Sequence, residues 1–127
     1  MLSDRQRDLY ITLQQQLSAI GDGLDQTEMP LGITQEVADL QQFFRMEIAA
    51  LPIEGVDATA AHRIQSYQVE ISKQLRLLGV DVSFWVAARQ VETREVRCGQ
   101  VRQRLQILSQ YCDRVLERLP DETPHQG

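Results

Sequence analysis

The stretch that decides the fold is Ser66 to Gln90, SYQVEISKQLRLLGVDVSFWVAARQ. With Ile64 just before it, Tyr67, Ile71, Leu75, Leu78, Val82 and Trp85 recur at steps of three and four, which lays one apolar stripe along an α-helix. The steps keep register through Gly79. A glycine inside a helix costs about 1 kcal/mol, which packing can offset. The pattern therefore favours one long helix, residues 58 to 90. The rival reading ends a helix at Gly79 as a left-handed cap and lets Asp81 start another. Residues 77 to 88 are apolar nearly all round, so this part is either central in a core or shared with a second chain. A helix of ~33 residues spans roughly 50 Å, longer than its neighbours. Its overhang is expected to pair with another copy in a homodimer; in the alternative, a monomer, the connector covers it.

Working outward, Asp57 is the N-cap expected for this helix. Pro52 stops the helix before it. That helix starts at Ile33 or Thr34 and carries Ile33, Val37, Leu40, Phe44, Ile48 and Leu51, with Phe43, Met46 and Ala50 widening the stripe. Residues 21 to 32 hold three glycines and Pro30 and read as a connector. Before them Leu9, Leu13, Leu17 and Ile20 form another stripe. Ser3 and Gln6 at its start fit a capping box, in which Gln6 reaches back to the Ser3 backbone. After Trp85 the long stripe ends at Arg89 and Glu92. A new one, offset by one residue, runs through Cys98, Val101, Leu105, Leu108, Cys112, Val115 and Leu119. The offset predicts a break near Gln90 to Thr93 and a last helix over 94 to 119. Pro120 ends it, and 120–127 read as a disordered polar tail. The expected fold is all-α: an antiparallel bundle of about four helices in a single domain, residues 1–119.

The chain has 127 residues, enough for one domain with its own core, and a net charge of −5. That charge argues against general affinity for nucleic acid or anionic membrane. There is no apolar leader-like segment at the start, and Asp81 interrupts the longest apolar run, so the expected location is the cytoplasm. Cys98 and Cys112 lie about 21 Å apart along one helix, too far for a disulfide, and read as core thiols. His62 and His125 belong to no spaced ligand set, and neither cysteine has a histidine near in sequence to activate it. No glycine-rich phosphate loop occurs. The reading is of a protein that is not an enzyme and needs no metal or cofactor.

Charge is unevenly spread. Asp8 to Phe44 holds six acids and no base; Arg89 to Arg104 holds Arg89, Arg94, Arg97, Arg102 and Arg104 against Glu92 and Glu95. This polarity could orient an encounter with a charged protein, or the two regions could attract each other within the fold. A polar string, Gln68, Lys73, Gln74, Arg76 and Asp81, lies off the long stripe. It reads as a solvated face or as part of a partner surface; a third reading has Tyr67 or Asp81 locking helix pairs from within. The five arginines together with Lys73 and Arg76 are the candidate partner-binding residues.

The run Tyr67-Gln68-x-Glu70-Ile71-Ser72-Lys73-Gln74-Leu75-Arg76-Leu77-Leu78, then Asp81, Phe84 and Ala87-Ala88-Arg89-Gln90, resembles the cyanobacterial PatD family. Gln110-Tyr111-Cys112-Asp113 is similar too. The resemblance covers about half the chain; the N-terminal half is similar mainly in helical pattern. It implies a regulator of heterocyst frequency and cell division that contacts the division protein FtsZ. The competing expectation is a helical bundle that senses a small ligand near Trp85, Phe84 and Tyr67.

Overall fold

The computed structural model describes residues 2–24 and 30–117, and the expected tail at 120–127 lies outside them. It is an all-α bundle. Helix α1 spans Asp4–Gly23, α2 Ile33–Phe43, α3 Ala58–Ala87 and α4 Val91–Val115; a π-helical turn, Phe44–Ala49, continues α2. Each helix packs against its sequence neighbour, and α1 also packs against α4, closing a ring in which α1 faces α3 across the diagonal. The pairings run antiparallel. Gln14 of α1 donates to Ser109 O and Asp113 Oδ1 of α4, while Arg102, earlier on α4, donates to Leu24 O just past α1.

The stripes fill the ring. Every stripe residue of α3 from Ile64 to Trp85 is buried, as are Leu13, Leu17 and Ile20 of α1 and Val101, Leu105, Leu108, Cys112 and Val115 of α4. Met46 and Ala50, expected to widen the α2 stripe, are exposed. The long helix runs through Gly79 without interruption. Its glycine answers to packing, because a Cβ there would lie 2.8 Å from Gln41 Nε2. Gln41 uses that nitrogen to donate to Leu75 O at 2.8 Å and so ties α2 to α3. At the other end of α2 the N-cap is Gly32, whose φ of 79° is left-handed and suits glycine.

The elements differ from expectation in five places. Helix α1 includes Gly21 and Gly23, and its cap Leu24 is buried, so the connector starts later than residue 21. Helix α3 stops at Ala87 rather than 90, because Ala88 turns to an extended backbone while staying buried. Helix α4 begins at Val91 rather than 94: the break is only Ala88 to Gln90, and Arg94 Nε closes it by donating to Ala88 O at 2.9 Å. At its far end α4 finishes at Val115, with Glu117 at a φ of 62°. The π-turn is the fifth difference. In a regular helix, residues four apart rotate by about 40° per step, so Leu40, Phe44 and Ile48 would drift across the core face. One wider turn with i→i+5 closure takes up the drift, and both Phe44 and Ile48 are buried.

Caps divide as well. Ser3 Oγ accepts from Gln6 N and Asp57 Oδ1 accepts from Ala60 N, as expected. The Gln6 side chain does not complete the capping box. It is buried, donates to Pro52 O and accepts from Glu54 N, so it clamps the α2–α3 turn to the start of α1.

Beside this clamp lies Tyr10, buried, with its hydroxyl accepting from Gln68 Nε2 at 2.8 Å. Burial pushes its pKa up from 10.0 to about 12, against the smaller lowering effect of the Gln68 hydrogen bond; Cys112 adds a lesser upward push. The unfolded chain releases this proton near pH 10 and the folded chain holds it, so folding stability falls as pH rises from 10 toward 12. Urea unfolding at pH 9 and pH 11.5 should show this loss, and Tyr10→Phe should shrink it by about 2 kcal/mol. An equal alkaline loss in the variant would assign the effect to other groups.

Candidate functional site

The arginines of the basic segment turn out to have different environments. Arg104 bridges α3 and α4: its Nε donates to Asp81 Oδ2 at 2.9 Å and its Nη1 to Gln74 Oε1 at 2.7 Å. Gln74 is buried, which corrects the solvated-face reading for it; Asp81 is mostly buried and joins α3 to α4, as the reading in which it locks a helix pair expects. Arg102 and Arg94 each donate to the carbonyl just past the end of a helix, Leu24 and Ala88, where the helix dipole favours a cation. Arg97 stacks over the Phe84 ring at 4.6 Å and donates to Gln100. Arg89 is exposed in the turn and makes no ion pair among the described residues. Lys73 and Arg76 are exposed on α3, Lys73 within 3.9 Å of Glu70. The seven candidates therefore do not form one surface. Arg89, Arg94 and Arg97 share the tip of the α3–α4 hairpin, Arg104 lies between the helices, and Arg76 faces another groove.

The tip carries the signal that charge alone did not show. Val80, Phe84, Val86, Val91 and Val96 are all large apolar residues left exposed, and all lie within about three turns of the Ala88–Gln90 break. Val80, Phe84 and Val86 are there because residues 77 to 88 are apolar nearly all round while only one side of α3 faces the ring: Leu78, Val82 and Trp85 turn inward, Val80, Phe84 and Val86 outward. Helix α4 adds to this, since α1 ends at the level of Arg102 and none of Val91 to Gln100 is fully buried. Asp8, Asp22, Glu36 and Asp39 of the acidic segment are exposed on α1 and α2; Asp25 and Glu28 lie outside the described residues. Next to the tip, Asp81, Phe84, Arg97, Gln100, Gln103, Arg104 and Ile107 line an open groove of ≈ 370 Å³.

Phe84, Trp85 and Tyr67 do not converge on a ligand site. Trp85 is in the core, Phe84 sits under Arg97, and the Tyr67 ring lies 6.0 Å from that of Tyr111. A separate groove of ≈ 300 Å³ opens between the π-turn and α3, lined by Gln41, Phe44, Arg45, Ala49, Ser72, Leu75 and Arg76. Among the described residues, no three His, Cys, Asp or Glu side chains gather as a metal site, and no helix is long and apolar enough to cross a membrane. Comparison with family models, curated proteins and solved structures finds no match to this chain.

Proposed function

We propose that this protein is a non-enzymatic regulatory module that binds another protein through the tip of its α3–α4 hairpin. The observation that supports it is the group of five exposed apolar side chains there, with Arg97 stacked on Phe84 and Arg89 free to meet solvent. Exposed apolar surface rimmed by charge marks a protein-interaction site, and aromatic and arginine side chains supply most of the energy of such contacts. The resemblance to the PatD family supplies the partner: FtsZ, and with it a role in cell division and heterocyst frequency in cyanobacteria. The cytoplasm, where FtsZ assembles, is the location this reading requires. If two copies associate, each dimer bridges two filament subunits and favours assembly by bivalency.

Co-sedimentation with FtsZ, with and without GTP and at two salt concentrations, tests this. The wild-type protein should pellet with GTP-dependent filaments, less so at high salt. Phe84→Ala should weaken binding about tenfold or more without loss of helical signal, since Phe84 is half exposed. Arg89→Glu should slow capture, an effect that salt removes. No pelleting under any condition would discard FtsZ as the partner; pelleting that Phe84→Ala leaves unchanged would discard the tip.

A further inference from the structure

We propose that the groove between the π-turn and α3 binds a small organic anion, an apolar body carrying a phosphate or carboxylate. This site is separate from the hairpin tip and does not depend on the proposed partner. Its floor is apolar, with Phe44 and Leu75 rooted in the core. Its rim holds two guanidiniums, Arg45 and Arg76, with the Ser72 hydroxyl and the Gln41 amide beside them, and no acid lines it. At ≈ 300 Å³ it falls at the small end of ligand pockets.

Two observations make this more than a dent between helices. The first is that Arg45 and Arg76 make no ion pair or hydrogen bond among the described residues, whereas Arg94, Arg97, Arg102 and Arg104 are each held by a partner within the chain. Two like charges at one groove with no counter-ion repel each other and attract an anion, which a guanidinium fork binds through paired hydrogen bonds. The second is the π-turn. Its wider spacing holds Gln41, Arg45 and Ala49 on the flank that faces α3, where a regular helix would rotate Arg45 and Ala49 away by about 40° per step. Here the turn builds one wall of the groove, and Ser72 and Arg76, four apart on α3, build the other.

The test uses the intact protein, ¹⁵N-labelled, titrated with phenyl phosphate and followed by amide chemical shifts. Phenyl phosphate should give saturable shifts confined to Gln41–Ala49 and Ser72–Arg76, with a dissociation constant of about 1–10 mM for so small a probe. Inorganic phosphate, which lacks the ring, and phenol, which lacks the charge, should each bind at least about tenfold more weakly. Arg45→Ala and Arg76→Ala should each weaken phenyl phosphate about tenfold, and the double variant should abolish saturation. Both residues are exposed on helices that alanine favours, so the fold is retained; Arg45→Lys with Arg76→Lys, which keeps charge without the fork, should fall between. Shifts spread over the surface, no saturation, or unchanged binding in the double alanine variant would overturn the proposal.

Discussion

Replacing Arg104 with alanine should destabilise the bundle by about 2–3 kcal/mol and lower its melting temperature by roughly 10 °C. The Arg104 side chain is 24% exposed and its partner Asp81 14%, so water screens the pair only in part. Losing the guanidinium leaves Asp81 without its counter-charge and removes the donor to Gln74 Oε1, an atom on a buried residue. A fully buried pair broken from one side costs about 3–5 kcal/mol, and partial exposure brings the figure down. A double-mutant cycle with Asp81→Asn, read by urea unfolding, should give a coupling of about 1 kcal/mol or more. The result also bears on function. If Arg104→Ala unfolds at the wild-type midpoint and instead weakens partner binding, Arg104 belongs to the interface and its pairing within the chain is incidental.

Leu78→Ala should cost more, about 3–4 kcal/mol, and lower the melting temperature by roughly 10–15 °C. Leu78 is fully buried about two-thirds of the way along α3, the helix that runs the length of the ring, and it has solvent on no side. Truncation leaves a cavity walled by rigid helices. Gln41 already holds α2 against α3 beside Gly79, so little collapse can fill it. Val80→Ala, two residues on but outward-facing, should change stability by less than about 0.5 kcal/mol. Thermal unfolding of the two variants checks both figures; a loss at Leu78 near that at Val80 would mean a loosely packed centre.

The four stripes were legible because burial on a helix follows periodicity, a property of adjacent residues. Ile64 to Trp85 is the clearest case: each stripe residue is buried. What was not legible depends on partners far along the chain. Gln6 sits three residues after Ser3, where local rules assign it to the cap, yet its side chain meets Pro52 and Glu54. Gln74 lies at the edge of a stripe and is buried where α3 packs on α4, with Arg104 donating to its side chain. A partial clue existed: Gln74 and Asp81 are seven apart, two turns on the same flank, spaced for one long cation to touch both. The arginines show the same limit. Sequence gives their charge, whereas their availability to a partner depends on which carbonyls and carboxylates the tertiary fold brings near. The π-turn left no trace of its own: the two consecutive steps of four from Leu40 to Ile48 recur at Tyr67, Ile71 and Leu75 in a regular stretch of α3.

The ring is closed by α1 against α4, and the Gln14–Ser109 contact that helps close it joins residues 95 apart. During synthesis α1 emerges first, but its larger partner surface emerges last. Until α4 has left the ribosome, α1 can rest only on α2 and the π-turn, and the inner stripe of α3 has one wall missing. The α3–α4 hairpin needs only a three-residue turn and can form quickly, whereas docking α1 requires closing the longest loop in the chain. The nascent protein thus passes through a stage in which three helices share an open core, and that stage, more than the finished bundle, is where aggregation competes with folding.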